Sequence, residues 1–482
     1  MDHIMHAGPW IDGRELKGGG RATHEVTSPY DGRVVGRVDY ATAEDLDAAI
    51  ASAERTFRKT MRKMPAHQRS AILRKAADLL EERAERFART ITAEAGKPIR
   101  DARAEVGRAV QILRFASDEA KTLTGSTVPM DAAIGGENRI GIVRRVPIGV
   151  VAAITPFNFP LNLVLHKLAP AYAAGNTVVL KPADKTPLSS ALLAKLFADA
   201  GLPDGALNIV YGRGSTLGKP LCTDPRVAKV TFTGSVPIGL QIKEWTGLKK
   251  VTLELGSNSP NILFEDCDLD AAVAGLVKGA FVFAGQACIS VQRIYVQSSI
   301  YQAFLDRYVP EVRKLVLGDP ALETTDIGPM ISEAEAVRAE SWIQEAAEQG
   351  AKVLTGGRRS GTFVEPTVLV DVSPDMKVVC QEVFAPIVSV IPFGTEEEAV
   401  AMANDSDFGL QAGVFTNDLN RALRVAEALE TGGVWINEVS TYRQDNHPYG
   451  GVKLSGVGKE GVKYAIEDMT DIRFLGIRLR QA

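Results

Sequence analysis

Cys288 stands in the run Gly285-Gln286-Ala287-Cys288-Ile289-Ser290, just after the apolar Phe281-Val282-Phe283. No second Cys or His lies near enough in sequence to pair with it in a disulfide or a metal site. A thiol so placed is ordinarily an inert core residue. It becomes a nucleophile when a base and an oxyanion donor are supplied from elsewhere. Two other stretches carry such groups. Asn158, in Pro156-Phe157-Asn158-Phe159-Pro160, is a neutral amide that can donate to a developing oxyanion, or simply cap the helix that follows. Glu254, in Glu254-Leu255-Gly256, is a carboxylate with a glycine nearby, able to swing toward a water and act as general base. Thiol, amide and carboxylate together imply acyl chemistry on sulfur.

Three further motifs suit a nucleotide. Phe232-Thr233-Gly234-Ser235-Val236-Pro237-Ile238-Gly239 follows a strand and opens a helix, where free N–H groups can face a phosphate. Its glycine spacing is Gly-x4-Gly, not the usual dinucleotide fingerprint, so alone it reads equally as a plain strand–helix turn. Lys181-Pro182-Ala183-Asp184 ends an earlier strand, where open α/β sheets bind ligands. A Lys there can hold ribose hydroxyls, and Asp184 can do the same while repelling a 2′-phosphate. On their own the two are a solvated loop pair. Glu382-Val383-Phe384 adds an acid–aromatic pair further along.

The elements that must position these residues follow from periodicity. Val34–Val38 reads as an edge strand. Thr42 with Asp45 reads as a helix start. One long helix is expected over 66–95, stopped by Gly96 and Pro98, and another over 101–121, with Val106, Val110 and Leu113 on one stripe and Arg108, Ile112 and Phe115 on another. Strands at 150–154, 177–180, 207–210, 229–233 and 251–255 alternate with helices at 161–174, 187–200, 215–221 and 238–245, which indicates a parallel doubly wound sheet. A second, less regular α/β unit has strands at 261–264, 293–296, 388–391 and 434–436 and helices at 269–284 and 301–314. Segments 139–146 and 471–480 alternate like strands but belong to neither rhythm; they read as a projecting strand unit that needs a partner on its edges.

Composition bounds the class. With 482 residues, 45% hydrophobic and 24% charged, the chain is an ordinary multi-domain globular protein. A net charge of -4 without a basic stripe argues against nucleic acid as a partner. The four scattered cysteines fit a reducing compartment and no metal. Met1–Trp10 shows no signal-peptide pattern, and no run reaches the roughly 18 apolar residues of a membrane span. The expectation is a cytoplasmic protein with no membrane partner.

These motifs, in this order and over nearly the whole chain, resemble the aldehyde dehydrogenase superfamily. The resemblance implies a Rossmann-like cofactor-binding domain (1–121 and 147–254), a second α/β catalytic domain (255–455) and a small β oligomerisation unit (122–146 and 456–482), assembled as a homodimer or homotetramer. It implies NAD(P)-dependent oxidation of an aldehyde to an acid, with Cys288 as nucleophile, Asn158 and the Cys288 N–H on the oxyanion, and Glu254 activating water. Ile154, Thr155, Lys181, Asp184, Gly234, Ser235, Gly239, Glu382 and Phe384 match cofactor contacts, and Asp184 favours NAD over NADP. Arg108, Phe159 and Arg443 match substrate contacts in relatives that take lactaldehyde, glyceraldehyde 3-phosphate, phosphonoacetaldehyde or semialdehydes, with Arg443 on a loop expected to close over the pocket mouth. Ala287 stands where some of those relatives carry a further Arg, and Phe159 where others carry His. The implied substrate is a small hydroxylated or anionic aldehyde. The same fold serves CoA-acylating semialdehyde dehydrogenases, which often lack the Glu254 base, and non-catalytic lens crystallins.

Overall fold

The computed structural model describes residues 4–480; positions 1–3 and 481–482, at the two ends of the expected segments, lie outside the described residues. Its main body is two α/β units, each built on a largely parallel sheet.

The first sheet has eight strands. Its parallel centre runs, edge to edge, Lys250–Glu254, Val227–Thr233, Val150–Ile154, Thr177–Lys181, Leu207–Ile209. Every residue of Val150–Ile154 and Thr177–Lys181 is buried, as continuous apolar strands covered by helices on both faces require. Strand order reverses at Val150–Ile154, the first of the five in sequence, and a reversal of this kind opens a crevice at the carboxyl ends of the strands. The Asn158 and Lys181 loops leave from that end.

The second sheet has seven strands, ordered Lys352–Thr355, Thr367–Val370, Ile387–Phe393, Arg293–Gln297, Pro260–Leu263, Gln411–Phe415, Gly433–Ile436; only the Lys352–Thr355 edge is antiparallel. Two large buried clusters, one around Leu165, Leu168 and Leu193, the other around Ile294, Phe304 and Val388, form the separate cores of the two units.

Several elements differ from the sequence expectation. The helix expected over 66–95 is two, Ala66–Glu82 and Ala84–Ala95, because Arg83 leaves helical geometry at φ -99, ψ 14. Leu73, Ala77 and Leu80 before the break and Phe87 and Ile91 after it face the same core, so periodicity carries no trace of it. Val34–Asp39 is the central strand of a three-stranded sheet, not an edge: Met5–Ala7 pairs on one side and Thr23–Thr27 on the other. The Thr42 expectation is met by a full capping box with Asp45.

The projecting unit is a three-stranded antiparallel sheet of Ser126–Val128, Arg139–Pro147 and Thr470–Arg478. Residues 456–469, expected in it, return instead to the first unit. Gly456–Val457 pairs with Lys250–Glu254, and helix Val462–Asp468 packs on helices Asn162–Ala174 and Ile99–Thr122. Ile466 and Met469 are buried there, which accounts for the correction: the segment is core, and only the last strand is arm.

Candidate active site

Cys288 is delivered by a strained turn. Helix Leu269–Phe281 ends three residues short of the expectation, and Phe283 (φ 48), Ala284 (φ 54) and Gly285 (φ 68) follow in left-handed conformation. For Phe and Ala this is costly and persists only where the surroundings enforce it. Fully buried Gln286 is the enforcer: its Nε2 donates to the Phe283 carbonyl (3.2 Å) and its Oε1 accepts from the Ile331 N–H (2.9 Å). The turn aims Cys288 into a cavity of about 430 Å³ between the two units, where the Tyr449 hydroxyl lies 3.1 Å from its sulfur. Burial pushes the thiol up to about 12, with the Tyr449 hydrogen bond working against that rise.

Asn158 and Glu254 line the same cavity. Asn158 donates through Nδ2 to the Gln286 carbonyl at 3.0 Å, so the turn that carries the thiol also orients the amide. Glu254 ends its strand with both carboxylate oxygens buried and without a hydrogen-bond partner. Burial, reinforced by the charge of Glu460, raises its carboxyl well above the ordinary range, with Arg443, Lys167 and Lys459 working against that rise. Glu460 shows the reverse: burial opposes its charge, but Lys167 (2.9 Å), His166 and Arg443 (3.0 Å) outweigh burial and hold it down to about 2.

Of the cofactor candidates, Gly234, Ser235, Glu382 and Phe384 line the same cavity. Ser235 precedes helix Val236–Thr246 without capping it through its side chain, which leaves first-turn N–H groups for an anion. Gly239 lies a turn further along, where a Cβ would come within 2.5 Å of Leu255; it is a glycine of close helix–strand packing. Glu382 accepts from the Ser257 N–H at 3.1 Å, and burial pushes it up to about 7. A Cβ at Gly256 would stand 2.5 Å from that carboxylate, so the space beside it is kept by a glycine. Phe384, in left-handed conformation (φ 47), sets its ring edge-on to Phe157 at 6.0 Å. Ile154 closes its strand, and the Thr155 N–H donates to the Lys181 carbonyl. Lys181, mostly buried, lies 3.4 Å from Asp184, whose side chain is 30% exposed. Arg213, which sequence reasoning passed over, reaches the same neighbourhood: the Tyr40 phenol, pushed up by burial and by Asp184, is drawn down by Arg213. A half-buried carboxylate, a buried ammonium, open helix N–H groups and an apolar slot form a donor set that fits a dinucleotide.

Arg108, Phe159 and Arg443 line a second cavity, of about 500 Å³, together with Lys278. Arg443 is not on a mobile lid. Its side chain is 6% exposed, its Nη2 donates to Glu460 and stands 3.2 Å from His166 Nε2, and its guanidinium lies 3.6 Å over the Tyr449 ring. The Ser440–Asp445 loop is tied down by burying Ser440 and Asp445, which a string of polar residues does not advertise. Arg108 keeps more freedom at 33% exposure, although Asp445 holds it at 2.6 Å. Phe159 stacks under Lys97 at 3.7 Å, and Lys97 pairs with Glu105 at 2.5 Å. Asp101, Glu105 and Glu438 balance the cations of this wall in part.

Sequence reasoning missed Tyr449, Glu460, Lys167 and His166. A signal existed for Lys167 and His166: they interrupt an otherwise apolar helix, Asn162–Ala174, that is buried on all sides. A charged side chain in such a helix has a partner inside the protein. Trp342, Arg338 and Glu335, which complete the first cavity, come from helix Glu333–Glu348, for which no helix was expected.

Comparison with known proteins agrees over this whole architecture. The model of the aldehyde dehydrogenase family matches residues 16–475. A 3-sulfolactaldehyde dehydrogenase of Priestia aryabhattai is 48% identical over 455 residues, covering 94% of this chain and 95% of that one. The crystal structure of aldehyde dehydrogenase 21 from Physcomitrella patens, in complex with the reaction product succinate, superposes with a TM-score of 0.96 at 41% identity, covering 98% of each chain. The NADP complex of a glyceraldehyde-3-phosphate dehydrogenase from Methanocaldococcus jannaschii gives a TM-score of 0.91 at 39% identity, over 95% of this chain and 100% of that one.

Proposed function

This chain belongs to the aldehyde dehydrogenase family, and from that premise we propose that it oxidises a small hydroxylated or anionic aldehyde to its carboxylic acid through Cys288. The observation that carries the reading is the meeting of Cys288, Asn158 and Glu254 on one cavity, whose lining also includes the dinucleotide candidates Gly234, Ser235, Glu382 and Phe384. The sulfur of Cys288, losing its proton, adds to the aldehyde carbon and forms a thiohemiacetal. The oxyanion is met by the second N–H of Asn158 and by the Cys288 N–H, which among the described residues makes no backbone hydrogen bond. A nicotinamide dinucleotide held in the cavity would supply the hydride acceptor, and Cys288 would then carry the acyl group as a thioester. Glu254, once ionised, takes a proton from water, and the hydroxide releases the acid. A base in this position favours hydrolysis over acyl transfer to CoA.

Lys181, Asp184, Gly234, Ser235 and Glu382 would hold the dinucleotide. Asp184, set against a 2′-phosphate, gives NAD the advantage, and Arg213 nearby keeps NADP usable. Arg108 and Lys278, with Arg443 behind them, would draw the acid group or hydroxyl of the substrate. Two relatives support that class, one by its sulfonated aldehyde and one by its bound dicarboxylate. The test is a panel of propanal, lactaldehyde, succinate semialdehyde, glyceraldehyde 3-phosphate and 3-sulfolactaldehyde, followed by NADH and NADPH absorbance. Anionic or hydroxylated aldehydes should lead in kcat/KM, and Cys288→Ala should turn over none of them while still binding NAD. Substantial turnover by Cys288→Ala, or a lead for propanal, overturns the reading.

A further inference from the structure

We propose that Tyr449 is a catalytic residue of this chain: its phenol holds the sulfur of Cys288 through a hydrogen bond, and the Arg443 guanidinium stacked on its ring strengthens that bond. The inference rests on Cys288 being the nucleophile. Among the described residues, the Tyr449 hydroxyl is the side-chain hydrogen-bond partner of the sulfur, at 3.1 Å. In the resting thiol either atom can be the donor. Once the sulfur is deprotonated, only the phenol has a proton to give, and the same contact becomes a charge-assisted bond to a thiolate. Tyr449 keeps its proton throughout, and no bond to it forms or breaks.

The surroundings fit a donor held in place. Tyr449 is 2% exposed, packed with Ile289 and Leu410 against Cys288. Its backbone exchanges both hydrogen bonds with Glu460, the residue that also fixes Arg443. A single anchor thus sets both the phenol and the cation over its ring. The next residue, Gly450, passes so close to Glu254 that a Cβ would lie 2.8 Å from its Oε1, which fixes the same loop from the side of the base. A guanidinium 3.6 Å from the ring centroid draws electron density from the phenol and makes its O–H a better donor. Without that donor the sulfur faces burial and the carboxyl groups Glu382 and Glu254, all of which disfavour its charge; Arg443 and Tyr449 are the groups that favour it. The plainer role, an aromatic filling the space beside the thiol, would be served equally by phenylalanine.

Tyr449→Phe removes the oxygen and keeps the ring and its stacked cation. The pH midpoint for alkylation of Cys288 by iodoacetamide, with Cys288→Ala as the blank, should rise by about one unit, as loss of a hydrogen bond to a charged group requires. At a fixed pH below the midpoint, alkylation and kcat/KM should both fall about tenfold, while NAD binding and the thermal midpoint stay at wild-type values. Because a buried substitution can unsettle the fold, 3,5-difluorotyrosine at 449 serves as the second arm: its more acidic phenol should move the alkylation midpoint down. An unmoved midpoint in a folded Tyr449→Phe, or no downward movement with the fluorinated side chain, overturns the proposal. If Cys288→Ala keeps its activity, the reading of the nucleophile falls instead, so the two failures are distinguishable.

Discussion

Burial and the charge of Glu460 both oppose ionisation of Glu254 and raise its carboxyl well above the ordinary range. On the proposed mechanism, its service as a base would grow as pH rises, and the step that would need it is release of the acid. Glu254→Gln should form the thioester, giving a pre-steady-state NADH burst near one per site, and then turn over at least a hundredfold more slowly, the usual scale for a lost general base. In the wild type the steady rate should climb with pH, and in the variant that climb should vanish; a variant with no burst would place Glu254 in an earlier step. Glu382 is pushed up by burial to about 7. A carboxyl raised in the folded state contributes stability that is full below the ordinary carboxylate range and is lost as pH rises through about 7. Ribose hydroxyls would give the ionised form the partners it lacks, so NAD binding should tighten across the same interval. Calorimetric titration from pH 6 to 8 checks this, and Glu382→Gln should flatten the trend.

The elements divide into those that sequence spells out and those that tertiary contacts decide. The five parallel strands of the first sheet were legible because strands buried on both faces must be apolar runs, and the candidates Cys288, Asn158 and Glu254, which line one cavity, were singled out because each lies at or soon after the end of a strand or an apolar helix. The break at Arg83 was not, since its apolar stripe continues unbroken across it. Nor was the fixed position of Arg443, whose restraint comes from Glu460 and His166, near and far in sequence respectively. The turn at 283–285 belongs to the same class: nothing in Phe283 or Ala284 announces a left-handed backbone. Gly285 is the one residue there whose type is dictated, with φ 68 and a Cβ that would meet the Ala385 carbonyl oxygen at 2.3 Å. Gly285→Ala should cost about 2 kcal/mol or more of stability. It should also cut kcat disproportionately, because the same turn carries both the thiol and the carbonyl that orients Asn158. Urea unfolding beside kcat measurements checks the pair; wild-type values for both would show the turn to be more compliant than its geometry.

At the scale of the whole molecule, the arm is the part that the chain leaves unfinished. Thr470–Arg478 pairs along one edge with Arg139–Pro147 through nine residue pairs, and lies at the border of its small sheet. Ile472 (68% exposed), Phe474 (50%) and Ile477 (46%) stand open on it, with Ile140 (42%) on the neighbouring strand. A three-stranded sheet with apolar side chains open to water on this scale needs a cover, and an unpaired edge of this length invites association. A second copy of the chain is the cover this arrangement calls for, in keeping with a family that is typically oligomeric. Light scattering at micromolar concentration should therefore give at least twice the chain mass. The double substitution Ile472→Lys and Phe474→Glu should shift the protein toward the single-chain mass and lower its thermal midpoint, while binding of NAD, whose proposed contacts lie outside the arm, persists. A wild-type protein at single-chain mass, or a double variant whose mass does not change, would mean that the exposed strand serves something other than self-association.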